Sequence, residues 1–273
     1  MTQRIPSNAD PAVRFMNVSF AYSSAPVVHQ VDIEFVRGCI HCIIGPNGSG
    51  KSTLASLLIG MLVPQSGDIQ INGRSLRGIS EAERSRLVAL TPQRISCPFD
   101  YSVLEFVRMA RHGAGRADPD GRRLSDNEII QSAMHRAGVV HLTGRPFNEL
   151  SVGEQQRVAI ARMLAQDTPI VVLDEPTSAL DIEHQLELIA LAQDIKQQGG
   201  CVIWITHDLH LALRIADTVG ILQAGQVAAI GPPAVALADD VLDKVFGVRR
   251  GRDPQPQFVL RPKSSEQHGV LSQ

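Results

Sequence analysis

Residues Gly45-Pro46-Asn47-Gly48-Ser49-Gly50-Lys51-Ser52 fit the spacing G-x-x-x-x-G-K-[ST] at every position. This loop limits the chain's fold more than any other stretch, because it works only between a buried strand and the start of a helix. Both flanks agree. Cys39 to Ile44 is an apolar run that reads as a buried strand, and Thr53 to Gly60 reads as a helix closed by glycine. The glycines let successive backbone N–H groups turn inward around a phosphate. Lys51 then reaches the β- and γ-phosphates, Ser52 offers a hydroxyl to Mg²⁺, and Thr53 opens the helix whose dipole favours the anion. The pattern points to a nucleoside triphosphate site.

Bulk properties narrow the setting. The chain has 273 residues, 44% of them hydrophobic, enough for one large α/β domain with a substantial core. A net charge of −2 and a pI near 6.5 argue against a nucleic-acid partner. Residues 74–123 hold ten Arg against six acids, which reads as a solvated helical surface or as a face for a docking partner. No apolar run approaches the ~20 residues that span a bilayer. Met1 to Asp10 lacks an apolar signal core. The expectation is a soluble, cytosolic protein unless a partner holds it elsewhere. Cys39 and Cys42 form a C-x-x-C inside the predicted strand, where the pleat turns them to opposite faces, so they read as buried structural thiols.

Along the chain, alternating apolar residues at Val13-Phe15-Val18-Phe20 and Val27-Val31-Ile33-Phe35 predict two antiparallel strands joined at Ser23–Pro26. Gly67–Gly73 predicts a hairpin arm closed by Asn72-Gly73. Ser80-Glu81-Ala82-Glu83 reads as a capping box, and Val88–Thr91 as a strand stopped by Pro92. Helical patterns at 101–111, 125–137 and 139–142, split by the polar Gly113–Arg123 loop, predict an inserted helical subdomain of about 94–158. The α/β rhythm then returns: helix 152–166, strand 170–173, helix 183–198, strand 201–205, helix 208–216 and two short final strands. Fully apolar strands between helices imply a parallel sheet covered on both faces. Residues 1–250 form one domain on this reading, and 251–273, rich in Pro, Gln and Ser, a flexible tail.

Ile170–Leu173 ends in Asp174-Glu175. Carboxylates at the carboxyl end of a parallel strand stand where phosphate ligands bind, so Asp174 suits Mg²⁺ and Glu175 suits a base for attacking water. Ser151, with Glu154 three residues on, reads as the N-cap of a helix.

Leu150-Ser151-Val152-Gly153-Glu154-Gln155-Gln156-Arg157 also resembles the signature of the ATP-binding cassette family, and the rest of that family's pattern follows in order. Tyr22 stands where the family places the aromatic that stacks on adenine. Gln93 matches its Q-loop, Ser178-Ala179-Leu180-Asp181 its D-loop, and His207 its switch histidine. Each alone has an ordinary structural reading: a surface aromatic, a turn residue after Pro92, an N-cap, a strand-end histidine. The resemblance spans roughly residues 13–247. One departure is Val152, where the family usually has glycine; a β-branched side chain there narrows the approach to a phosphate.

The resemblance implies a P-loop (RecA-like) core with an antiparallel β subdomain and an inserted helical subdomain. It implies ATP and Mg²⁺ as ligands, with catalytic roles for Glu175, His207 and Gln93 and metal contacts from Ser52, Gln93 and Asp174. Nucleotide contacts come from Tyr22, Gly45–Thr53, Ser151, Gly153 and Asp181. Two copies pair head to tail, the signature of one facing the P-loop of the other. Partners are polytopic membrane permease subunits and, indirectly, a substrate-binding protein, with the chain peripheral on the cytoplasmic face of the inner membrane. Val103–Arg111, Leu90–Gln93 and Thr206–Leu209 further resemble the importers of iron–siderophore complexes, haem and cobalamin, with Phe99, Tyr101 and Leu104 as candidates either for the permease-facing groove or for core packing. Other cassette transporters, and cassette ATPases acting on nucleic acid or ribosomes, are the alternative. The latter usually carry long coiled-coil insertions or tandem cassettes, and neither is visible here.

Overall fold

The computed structural model describes residues 11–112 and 125–247. The Gly113–Arg123 loop and the tail 251–273 lie outside the described residues.

β1 (Val13–Ala21) and β2 (Pro26–Phe35) pair antiparallel, and β1 also pairs with β4 (Ser66–Ile71). β4 turns at Asn72-Gly73, both at positive φ (51° and 74°), into the short β5 (Arg74–Ser75). Two successive left-handed residues are what a type I′ hairpin requires, which is why Asn-Gly marks it. Between these strands come β3 (Cys39–Ile44) and α1 (Lys51–Leu58), which ends before Gly60 at φ 70°.

The second sheet has the order β10-β9-β3-β8-β7-β6. Its strands are β6 (Val88–Thr91), β7 (Ile170–Asp174), β8 (Cys201–Ile205), β9 (Thr218–Gln223) and β10 (Gln226–Gly231) beside β3. All neighbours are parallel except the β9–β10 edge pair. The helices are α2 (Glu81–Arg84), α3 (Val103–Arg108), α4 (Asp126–Arg136), α5 (Val152–Ala165), α6 (Ile182–Gln197) and α7 (Leu209–Ile215), then α8 (Pro233–Ala236) and α9 (Asp239–Phe246).

The pleat of the parallel sheet separates two cores. Ile40, Cys42, Ile44, Val171, Leu173, Val202 and Trp204 face the helices α3 to α7. Ile43, Val172, Ile203 and Ile205 face α1 and the antiparallel sheet, where Phe15, Phe35, Ile69 and Ile71 close the layer. Trp204 is fully buried; truncating such a side chain to Ala costs about 3–5 kcal/mol. Cys39, Cys42 and Cys201 are buried free thiols, as the pleat argument requires. Burial, with Cys39 adding to it and Arg37 opposing, pushes the Cys201 thiol up to about 12.

Two local expectations change. Ser80 caps α2 by accepting from Glu83 N, but Glu83 does not close the box; its carboxylate pairs with Arg74 on β5. α5 is one unbroken helix where the pattern predicts residues 152–166, with its body against α3 and α4. The segment after β10 holds α8 and α9, which the sequence pattern did not mark. Among the described residues no helix is long and apolar enough to cross a membrane.

Candidate functional site

Four strands of the parallel sheet end at one place. The P-loop follows β3, Gln93 lies two residues past β6, Asp174-Glu175 closes β7, and His207 lies just past β8. In parallel strands these carboxyl ends share one edge of the sheet, which is where α/β folds bind ligands.

The loop is held by backbone contacts that side chains would obstruct. A Cβ on Gly50, at φ 99°, would meet Val27 O at 2.7 Å, and one on Gly45 would meet Leu222 O at 2.1 Å. Pro46 O accepts from Ser49 N, and Gly50 O from Leu54 N, so the turn runs directly into α1. Ser49 is buried and its Oγ has no partner. Gly48 stands in open space, with Asn47 beside it at the exposed tip. Lys51 is buried and donates from Nζ to Gly45 O at 2.8 Å and Pro46 O at 3.0 Å. Burial lowers its pKa, while Glu175 and Asp174 hold the charge in place. The ammonium therefore lies inside the loop's own curve. Thr53 is buried in the first turn of α1.

Asp174 is buried; burial raises its pKa, and a hydrogen bond from Ser52 and the Lys51 charge work the other way. Its Oδ1 has no partner. An orphaned carboxylate oxygen beside a serine hydroxyl at the mouth of a phosphate loop has the donor chemistry of a hard divalent cation site. Glu175 stands at φ 48°, a left-handed conformation that costs a non-glycine residue about 1–3 kcal/mol, and it precedes Pro176. Its backbone N–H donates to Ile205 O at 3.0 Å, tying β7 to β8. Its side chain receives Gln93 Nε2 on Oε2 at 3.1 Å and faces His207 Nδ1 from Oε1 at 3.3 Å. The structure thus brings Lys51, Ser52, Asp174, Glu175, Gln93 and His207 together.

Ser151, Gly153 and Asp181 form a second group. Ser151 caps α5 in a full capping box: its Oγ accepts from Glu154 N, and Glu154 Oε2 accepts from Ser151 N at 2.8 Å. These bonds hold the Glu154 carboxyl below its ordinary range. A Cβ on Gly153 would lie 3.0 Å from Ala179 O, so α5 begins against the segment leading to α6. Asp181 caps α6, accepting from His184 N and meeting His184 Nδ1 at 2.6 Å. The first residues of both helices, Val152 and Ile182, are 69% and 58% exposed. Tyr22, 66% exposed, stands edge-on to Phe20 at the end of β1.

Sequence reasoning missed the strained backbone of Glu175; a residue before proline is expected to be extended, so no local signal marked it. The residues named after Gln93 fall in different settings. A groove beside Gln93 is lined by Leu90, Pro92, Ile95 and the buried Phe106; Tyr101 packs against an exposed Phe99, and Leu104 packs against the core.

The loop after β3 and the carboxylates after β7, set in a parallel sheet, define a P-loop ATPase. The family profile described as ABC transporter matches residues 28–178, and the chain belongs to that family. It is 43% identical over 220 residues, 81% of this chain and 75% of the relative, to a hemin import ATP-binding protein of Nocardia farcinica. It superposes on a metal-chelate type ABC transporter in an inward-facing conformation with a TM-score of 0.72 at 29% identity, covering 88% of this chain and 90% of that one. A dimeric bacterial ABC transporter cassette gives 0.73 at 26% identity, covering 81% and 98%. The chain binds and hydrolyses ATP.

Proposed function

We propose that this chain is the ATP-hydrolysing subunit of an importer that carries haem, or a closely related iron complex, through separate membrane subunits. The observation that carries the ATPase half is the convergence of Lys51, Asp174, Glu175, Gln93 and His207 on one sheet edge. The haem half rests on the name of the relative at 43% identity.

On this reading the P-loop from Gly45 to Thr53 wraps the triphosphate, and Lys51 exchanges its two loop carbonyls for phosphate oxygens. Tyr22 stacks on the adenine. Ser52 and Asp174, with Gln93, would hold Mg²⁺, which would neutralise charge on the phosphates. Glu175 takes the proton of the attacking water, and His207 fixes that carboxylate and the γ-phosphate. Ser151 Oγ and the Gly153 N–H of a second copy complete the pocket from the far side, with Asp181 setting the facing surface. The exposed apolar pair Val152 and Ile182 supports a face covered by that second copy, and a solved cassette of this fold is dimeric. Residues 1–250 act as one ATPase domain, with a helical subdomain beginning near residue 94. The dimer sits peripherally on the cytoplasmic face of the inner membrane, held by the permease, which receives cargo from a substrate-binding protein.

The test is uptake of radiolabelled haem, iron chelate and cobalamin in a strain lacking this chain. Haem uptake should fall and return with the wild-type chain but not with Lys51→Ala. Unchanged haem uptake in the deletion strain overturns the cargo reading. Full rescue by Lys51→Ala overturns the ATP-driven mechanism.

A further inference from the structure

The segment from Pro176 to Leu180 joins the end of β7 to the cap of α6 and touches three parts of the site. At its start Glu175 O accepts from Ser178 Oγ at 3.1 Å and from Ser178 N at 3.3 Å, so the segment bends back on the strained residue. In its middle Ala179 O stands against Gly153 at the start of α5. At its end Leu180 is buried, and Leu180 O accepts from Gln185 Nε2 at 2.9 Å. The side chain that follows, Asp181, is 67% exposed.

Asp181 is held twice by one residue. The backbone N–H of His184 donates to Oδ1 at 3.0 Å, the ordinary bond of an N-cap. The ring of the same residue meets the same oxygen, Nδ1 to Oδ1 at 2.6 Å. An ionised carboxylate only accepts, so the proton of this bond is on Nδ1. Both bonds hold the Asp181 carboxyl below its ordinary range, the backbone bond first. The cap needs only the backbone bond; what the ring adds is direction. Two donors converging on Oδ1 fill its in-plane acceptor sites and so set the plane of the group. Among the described residues no group bonds Oδ2. His184 is seated in a narrow cleft with Arg157 of α5, Arg136 at the end of α4 and Glu187 one turn on, over Leu180 and Leu188. Arg157 favours the charged form of Asp181 from the α5 side.

We propose that His184 is a positioning residue for ATP hydrolysis: its Nδ1–H sets the plane of the Asp181 carboxylate so that Oδ2 meets the second copy, and the Ser178–Leu180 segment carries that contact to Glu175. This rests on the head-to-tail dimer reading. It adds to it a residue outside the P-loop, the carboxylate pair and the capped start of α5. A carboxylate without the ring still caps α6 but meets the second copy in many orientations. The cost of ordering it then falls on the dimer, and Glu175, tied to the same segment through Ser178, is aligned in fewer of the paired molecules.

The experiment compares His184→Phe, His184→Asn and His184→Gln in the full chain, each alone and beside Asp181→Ser. Phe keeps a ring and removes the donor; Asn offers an N–H near the Nδ1 position, and Gln near Nε2. His184→Phe should lower kcat about fivefold or more, with Mg-ATP binding to the single chain within about twofold of wild type. It should also weaken the ATP-dependent dimer of the Glu175→Gln background about threefold or more. His184→Asn should recover most of both losses and His184→Gln little. Beside Asp181→Ser, which keeps a cap on α6, His184→Phe should change neither quantity. If His184→Phe fails to fold, His184→Ala removes the same donor and is read the same way. Nitrogen NMR of labelled imidazoles should show His184 protonated on Nδ1, its signal assigned by its loss in His184→Asn. A bare Nδ1, or equal kcat and dimer constants in wild type and His184→Phe, overturns the role of His184 and leaves the dimer reading standing. A loss that persists in full beside Asp181→Ser, or that His184→Asn does not reduce, overturns it in favour of simple packing in the cleft. Absence of any ATP-dependent dimer in the Glu175→Gln chain overturns the dimer reading, and the role of His184 with it.

Discussion

Gln93 donates from Nε2 to Oε2 of Glu175 at 3.1 Å, so the residue after the shortest parallel strand holds the carboxylate at the end of its neighbour. The other oxygen of Glu175 faces His207 Nδ1 at 3.3 Å. Both oxygens are thereby engaged from adjacent strands, and the backbone beneath them is locked at φ 48° by the bond to Ile205 O. A carboxylate held this way is oriented but not free. Moving Gln93 toward a cation would release one oxygen for water while His207 keeps the other in line.

This arrangement separates binding from chemistry. Glu175→Gln keeps the size and hydrogen bonding of the side chain but removes the base. Hydrolysis should fall by about 10²–10⁴-fold, the usual contribution of a positioned general base, while Mg-ATP affinity stays within a few-fold. Sedimentation with saturating ATP should show dimer accumulating. A turnover within tenfold of wild type would assign the proton transfer to another group.

Asp174 gives a pH signature. Its carboxyl titrates above the ordinary 3.8 because burial disfavours its charge. The folded chain therefore binds more protons than the unfolded chain between those two pKa values. Stability from this group is fully present below the unfolded value and declines as pH rises through the folded one. At pH 7 the buried charge is a net cost. Asp174→Asn should accordingly raise the Tm of the nucleotide-free chain at pH 7, with the gain shrinking as the pH approaches 4, and should abolish the added stability that Mg²⁺ gives with ATP. Thermal denaturation across pH without divalent cation reads the first effect. A lower Tm at pH 7 would mean that the Ser52 and Lys51 contacts outweigh desolvation.

The sequence carried the sheet because its strands are nearly pure apolar runs. Ile170–Leu173 and Cys201–Ile205 must be buried on both faces, and only a helix-covered parallel sheet does that. It carried the P-loop and the caps for a similar reason, since Gly50, Ser151 and Asp181 act through local geometry. What it did not carry depends on distant segments meeting. The groove beside Gln93 joins the segment after α1, β6 and α5, its lining running from Ile59 to Gln166, and no spacing reports that. Phe106, which lines that groove, is stacked on Phe147 at 4.2 Å and capped by Arg162, contacts that join α3 to distant segments. α8 and α9 are too short for their periodicity to rise above the surrounding loops.

Val152 tests the second group. It is the first residue of α5, next to the Ser151 cap, and 69% exposed, so it adds little to the core. Its replacement by Gly loses helix propensity of at most ~1 kcal/mol, and the Tm of the isolated chain should hardly move. In a head-to-tail dimer the same side chain stands between Ser151 and Gly153, facing the partner's triphosphate. A branched Cβ there holds the phosphate away from the Gly153 N–H and from the N-terminal dipole of α5. Val152→Gly should then tighten ATP-dependent dimerisation about threefold or more, a gain of roughly 0.7 kcal/mol, and raise ATPase activity with it. Measured in the Glu175→Gln background, where ATP persists, sedimentation equilibrium isolates the dimer constant from turnover. A weaker dimer with an unchanged Tm would reverse the assignment: the valine would then be an apolar contact, with Ile182, that the second copy covers.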